Sequence, residues 1–268
     1  MAAVQLPGSI ALVTGASGGL GRAIARALHG RGARLALTAR REQVLDELRA
    51  ELGGGVRALP ADLSDARGAA ELAERAGAVD VLVANAALPA SGRYDDFSPE
   101  EMDRALDVNL RAPMQLALAL APGMAERGRG HLVFVSSMSG KVASAGGSVY
   151  SAGKFGLRGF AGGLREDLRD SGVGVTVVFP GFIRESGMFA ESGAKLPPGL
   201  GTNSAEEVGA AVVRGIEKQR AEVDVAPLPV RLGAYAAALA PGLAARVQRR
   251  LGAVELAERM AEGQRHKR

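Results

Sequence analysis

The stretch Ile10–Arg31, IALVTGASGGLGRAIARALHGR, decides how the rest of the chain is read. An apolar run, Ile10–Val13, leads directly into a glycine-rich turn, TGASGGLG (Thr14–Gly21). A helical pattern follows over Gly21–Arg31, with Ile24 and Leu28 on one face. Gly15, Gly19 and Gly21 form G-x-x-x-G-x-G between strand and helix. Glycines there let the backbone approach a pyrophosphate, whose charge the helix N-terminus stabilises. In a chain with 37 glycines such a loop alone is weak evidence, and its strand–turn–helix setting gives it weight.

Outward from this unit the alternation repeats. Arg34–Thr38 reads as a second strand and Arg41–Leu52 as a helix ended by Gly53-Gly54-Gly55. Val56–Pro60 is a third strand, after which Ser64 is expected to cap a helix running to Arg75. Val79–Ala84 is continuously apolar, as in a strand buried on both faces. Ser98-Pro99-Glu100-Glu101 starts a helix, and a long helical pattern runs through Asn109 to Arg127. His131–Ser136 and Val175–Phe179 are strands with a helix between them from about Gly147 to Arg169, and Glu222–Val225 is a short seventh strand. This order predicts an α/β fold, a doubly wound parallel sheet with helices on both faces. Ligands bind such sheets beyond the C-terminal strand ends. Thr14–Gly21, Asp62, Asn85, Ser137 and Pro180-Gly181 each follow a predicted strand and gather along that edge.

Tyr150 and Lys154 fall one helical turn apart on a common face. A phenol is too weak an acid to exchange protons easily near neutrality. A cation beside it is expected to lower its pKa and make it a usable proton donor and acceptor. Arginines outnumber lysines 28 to 5, yet position 154 is Lys, whose compact ammonium is the more tunable cation. Ser137 could aim its hydroxyl into the same space. At the end of the second strand, where NAD sites place an acid, the segment is Thr38-Ala39-Arg40-Arg41. Arg40 suits a 2′-phosphate instead, so NADP is expected over NAD. Asp62 can accept from an adenine amino group or serve the helix entry.

Composition narrows the classes. Hydrophobic residues make up 47% and charged residues 23%, as in soluble globular proteins. With no cysteine, disulfides and thiolate chemistry are excluded, and the three histidines form no ligand-spaced pair, so no metal site is expected. MAAVQLPGS does not read as a secretory leader and no apolar run reaches bilayer length, so a cytoplasmic location is expected. The pI near 9.7 raises nucleic-acid binding. Residues 229–268, however, hold eight basic and three acidic residues, leaving 25 basic and 26 acidic in residues 1–228. The basicity belongs to the tail, and 4% aromatics offer few stacking platforms, so nucleic acid is not an expected partner.

TGASGGLG (14–21), Asp62, ANAA (84–87), Asn109 within DVNL, Ser137, YSAGK (150–154) and Pro180-Gly181 together resemble the short-chain dehydrogenase/reductase family. The resemblance covers about residues 8–226. It implies a single Rossmann-type domain with a seven-stranded sheet over 1–228; residues 229–268 exceed the usual family length and read as a basic helical extension. It also implies a homodimer or homotetramer formed through the helices near Asn109–Arg127 and Gly147–Arg169. The implied activity is NAD(P)-dependent hydride transfer to a carbonyl or from a secondary alcohol. Tyr150 would be the general acid/base, Lys154 its cationic partner and ribose ligand, Ser137 the donor to the substrate oxygen, and Asn109 the holder of a water behind Lys154. Gly15, Ser17, Gly19, Leu20, Gly21, Arg40, Asp62, Leu63, Asn85, Tyr150, Lys154, Pro180, Gly181 and Ile183 would bind the cofactor. The chain departs from the pattern at Ala84-Asn85-Ala86-Ala87 and lacks the threonine after Pro-Gly, for which Ser186 could substitute. A catalytically idle cofactor-binding or scaffold protein of the same fold is the alternative, against which the intact Ser137, Tyr150 and Lys154 stand.

The expected substrate lining is Met138, Val142, Ala143, Phe182, Met188 and Phe189, which suits an apolar ketone or alcohol, with Ser186–Asn203 as a lid. The tail from Val230 reads as helices over Leu232–Ala240, Leu243–Arg250 and Ala253–Glu262, with Gln264–Arg268 disordered. Packing on the body, on a partner subunit, or on an anionic membrane surface are its open alternatives.

Overall fold

The computed structural model describes residues 4–196, 200–250 and 252–264. The apolar runs form β1 (Ile10–Thr14), β2 (Arg34–Thr38), β3 (Val56–Ala58), β4 (Val81–Ala84), β5 (Gly130–Val135), β6 (Val173–Pro180) and β7 (Glu222–Val225). They pair in parallel in the order β3-β2-β1-β4-β5-β6-β7. The strand order reverses between β1 and β4, and a crevice opens there beyond the strand ends. The intervening helices are α1 (Gly19–His29), α2 (Glu42–Leu52), α3 (Gly68–Ala76), α4 (Pro99–Leu106), α5 (Ala112–Glu126), α6 (Ser148–Asp167), α7 (Gly187–Ser192) and α8 (Ala205–Glu217). The tail forms α9 (Leu228–Leu239), α10 (Pro241–Arg250) and α11 (Ala253–Gln264).

Side-chain alternation along the strands builds two cores. Val13, Val83 and Val133 pack with Ile24 and Leu28 of α1 and Val208 and Val212 of α8. Leu12, Leu82, Leu132 and Phe134 pack with Leu72 of α3, Leu116 of α5 and Leu157 of α6. Both sheet faces are therefore covered, which explains why its strands read as continuous apolar runs.

The structure corrects three local expectations. The helix expected through Asn109 is interrupted by a π-turn over Asp107–Arg111, where the Ala112 N–H donates five residues back to the Asp107 carbonyl. Pro113 has no N–H to give the carbonyl four residues back, that of Asn109, so the ladder widens there. Ser64 does not cap α3. Its backbone N–H and hydroxyl both donate to Asp62 Oδ1, at 2.9 and 2.7 Å, and the helix begins at Gly68. Gln264 is not part of a disordered end, since it is buried and its Nε2 donates to the Met188 carbonyl at 2.5 Å; residues 265–268 lie outside the described residues.

His131 is fully buried on β5 with its Nε2 2.8 Å from Thr176 Oγ1. The Thr176 hydroxyl donates to the Arg220 carbonyl, so Nε2 carries the ring proton and Nδ1 is left without a partner. Burial, with a smaller push from Arg165, takes His131 down to about 3 from 6.5. The unfolded chain therefore binds the extra proton first, and stability present above pH 6.5 is lost as pH falls toward 3. Unfolding free energies from urea titrations between pH 7 and 4 are expected to fall for the native chain by up to about 1.4 kcal/mol per pH unit more than for His131→Gln. Parallel pH curves would refute that assignment.

Candidate active site

The C-terminal strand ends open into one cleft of about 1380 Å³. That exceeds the roughly 300–1,000 Å³ of a single-ligand site, so it has room for two ligands side by side. At its β1 end the glycine turn is held open. Gly15 has φ +65°, and a Cβ there would lie 2.8 Å from Ala86 Cα. A Cβ on Gly21 would collide with the Gly15 carbonyl, so only glycine lets α1 start this close to the turn. Thr14 Oγ1 accepts from the Asn85 and Ala86 N–H groups, both at 2.9 Å, and Asn85 Nδ2 donates to the Thr14 carbonyl at 3.0 Å. Asn85 thus ties β4 to the turn.

Ser17, Gly19, Leu20, Arg40, Leu63, Pro180, Gly181 and Ile183 all line the cleft with Gly15, Gly21, Asp62 and Asn85. Burial acts to raise the Asp62 carboxyl, but the two Ser64 hydrogen bonds and the charges of Arg40 and Arg104 outweigh it and leave it below its ordinary value. Arg104 of α4 and Arg41 also line this end and were not singled out in the sequence. Arg104 is one basic residue in a charged helix, and only the packing of α4 beside the cleft distinguishes it. Thr38 Oγ1 and Ser186 Oγ are buried without protein partners, and Ser186 leans over Gly19 so closely that a Cβ there would strike it. A helix N-terminus with no acid in its first turn, orphaned hydroxyls and a cationic β2 end fit a phosphate-bearing dinucleotide.

On the β5 side, Ser137 begins a 3₁₀ turn over Met138–Gly140 and its Oγ accepts from the Ser139 N–H at 3.1 Å. Tyr150 and Lys154 project from the first turns of α6, which the glycine-rich connection Gly146-Gly147 enters. Tyr150 is half-buried and hydrogen-bonds Ser137. Lys154 is 2% exposed, donates to the Val135 carbonyl at 3.0 Å, and holds its ammonium 5.7 Å from the Tyr150 ring centre. The expected depression of the phenol is not found. Burial pushes Tyr150 up to about 12, with the Ser137 hydrogen bond acting the other way, and burial brings Lys154 down to about 8. Desolvation outweighs the benefit of proximity here. Asn109 is 2% exposed, with Oδ1 accepting from the Leu88 N–H at 2.7 Å and Nδ2 donating to its carbonyl at 2.9 Å. Its side chain thus anchors the loop after β4.

Of the expected substrate lining, Met138, Val142, Phe182, Met188 and Phe189 face the cleft, whereas Ala143 is exposed outside it. The tail helices contribute lining that no local pattern announced, including Val230, Ala244, Leu256 and Met260. Among the described residues no cluster of three His, Asp or Glu is placed to hold a metal ion.

A parallel sheet with a glycine turn after β1 and a serine, tyrosine and lysine in the same cleft defines a Rossmann-type α/β protein. The chain belongs to the short-chain dehydrogenase/reductase family: the family's sequence model, short chain dehydrogenase, matches residues 9–197. Ketoacyl reductase HetN of Nostoc sp. is 33% identical over 270 residues, covering 96% of this chain and 94% of its own. Dehydrogenase/reductase SDR family member 7B of Mus musculus is 33% identical over 90% of this chain and 80% of its own. Among solved structures, a metagenomic short-chain oxidoreductase in complex with NADP superimposes with a TM-score of 0.69 at 35% identity, covering 83% of this chain and 98% of its own. A short-chain dehydrogenase from Sphingobium yanoikuyae in complex with NADPH gives 0.77 at 30% identity, covering 88% and 94%.

Proposed function

We propose that the cleft carries out reversible hydride transfer between NADP(H) and a carbonyl or secondary alcohol, with Tyr150 as the general acid/base. The observation that carries this reading is the convergence of Ser137, Tyr150 and Lys154 on the cleft that also holds the glycine turn. Arg40 and Arg41 at the β2 end favour a 2′-phosphate, and two relatives of known structure hold NADP or NADPH. Once bound, the nicotinamide supplies or accepts the hydride. Ser137 Oγ donates to the substrate oxygen and orients it toward the Tyr150 hydroxyl. Tyr150, which the raised pKa keeps protonated at neutral pH, gives its phenolic proton to the forming alkoxide. The Lys154 ammonium stabilises the phenolate left behind and would hold the ribose hydroxyls of the bound cofactor. Asn109 fixes the loop at Leu88, and a water held by it would link Lys154 to solvent. A screen of ketones with NADPH and of alcohols with NADP, followed by nicotinamide absorbance, tests the reading, and no turnover across both panels would sink it.

Leu118 of α5 and Phe155 of α6, 63% and 39% exposed, suit a homodimer or homotetramer built on those helices. The outer face of the tail suits peripheral contact with an anionic bilayer. Leu232 and Leu239 are 59% and 90% exposed on the segment that carries Arg231, Arg246, Arg249 and Arg250, a pairing of apolar and cationic surface that matches anionic lipid. Among the described residues no helix is long and apolar enough to cross a membrane. The protein is expected to float with vesicles containing phosphatidylglycerol at low salt, to be released at high salt, and to float less as Leu239→Ser. Remaining at the bottom of the gradient under all conditions would refute the contact.

A further inference from the structure

The tail helices have a second, inward face. α11 lies on α7, where Gln264 Nε2 reaches the Met188 carbonyl. A Cβ on Gly146, four residues before Tyr150, would lie 2.7 Å from Ala257 Cβ. The roof therefore meets the connection that carries the tyrosine.

Among the described residues between 229 and 264, fifteen line the cleft, and thirteen of them are apolar or glycine, Gln248 and Gln264 being the exceptions. The same segment contains eight charged residues, Arg231, Arg246, Arg249, Arg250, Glu255, Glu258, Arg259 and Glu262. None of the eight lines the cleft. The charges of the tail are thus confined to its outer side, which also carries the exposed Leu232 and Leu239, and the cleft side is left free of charge. The charged lining residues are Arg40, Arg41, Asp62 and Arg104 toward the β2 end, Lys154 beside Tyr150, and Glu191 of α7, the one nearest the tail in sequence. Leu243 and Val247 both line the cleft and are 63% and 46% exposed, so the apolar surface runs out to the mouth.

We propose that α9, α10 and α11 form an aliphatic-chain channel continuous with the Tyr150 site, and that the substrate is a long-chain ketone or secondary alcohol. Its chain would lie under Val230, Ala244, Leu256, Ala257 and Met260, with its oxygen at Ser137 and Tyr150. The substrate assignment rests on the hydride-transfer reading above, whereas the channel itself rests only on the lining.

Two measurements on the intact chain separate the two. Calorimetric titration with unreactive n-alkyl amides, from butanamide to dodecanamide, reads the channel without chemistry. Affinity is expected to rise by up to about fourfold per methylene through the mid-length chains, equally in Tyr150→Phe. Leu256→Gln and, separately, Met260→Gln are expected to flatten that rise, and both positions are partly exposed, so the helix tolerates the change. Catalytic efficiency toward methyl n-alkyl ketones, with NADPH as reductant, should climb over the same chain lengths. Amide affinities independent of chain length would overturn the channel. A rise with the amides but no turnover of any methyl n-alkyl ketone or of the matching secondary alcohols would leave the channel standing, overturn the substrate assignment and count against the hydride-transfer reading. Turnover with a flat chain-length profile would uphold hydride transfer and overturn the long-chain substrate assignment.

Discussion

Tyr150→Phe is expected to lower kcat/KM for ketone reduction by about a thousandfold, within the 10²–10⁴ range of a lost general acid. The change removes one hydroxyl from a half-buried ring and leaves the ring's packing in place, so Tm should hardly move. The pH profile provides a second readout. Burial holds Tyr150 up at about 12 and Lys154 down at about 8. Below pH 8 both groups keep their protons, and reduction should be level there. Above it the ammonium is lost, the phenolate loses its nearest cation, and the reduction rate should fall. Tyr150→Phe turning over at the native rate would end the assignment of Tyr150 as proton donor.

Arg40→Ala should weaken NADPH binding by about 10- to 100-fold, the worth of one or two charge-assisted phosphate hydrogen bonds. NADH, which has no 2′-phosphate, should bind with little change, and the ratio of the two Kd values is the quantity to measure. Arg40 is exposed, so its removal costs little stability, and a parallel loss of both cofactors would count against a phosphate role. Arg41 and Arg104 line the same end of the cleft, and a small effect of Arg40→Ala alone would point to them as the phosphate ligands.

Much of the fold was legible because its signals are local. Ile10–Val13 followed by TGASGGLG specifies strand, turn and helix by apolar run and by glycines that no other residue could replace at the Gly15–Gly21 approach. Seven strands and the tail helices were readable for the same reason, since apolar periodicity is set within ten or so residues. The joint spacing of Ser137, Tyr150 and Lys154 carried the family resemblance, which the matching of residues 9–197 bears out.

What sequence alone could not reach depends on neighbours distant in the chain. Spacing predicted a depressed Tyr150 pKa from an adjacent cation, but the pKa follows from how much surrounding chain strips water from both groups, and that is a tertiary quantity. Ser64 reads as a cap until Asp62 takes both of its hydrogen bonds. Nothing local to Asn109 names its partner, Leu88, 21 residues earlier, which engages both ends of its amide. The tail reads equally as packing, oligomer or membrane segment, because an amphipathic helix does not state what covers its apolar side. Local sequence therefore determined the strands, turns and chemical groups of this protein. The tertiary structure alone decided which side of the tail faces the cleft and what desolvation does to the tyrosine and lysine within it.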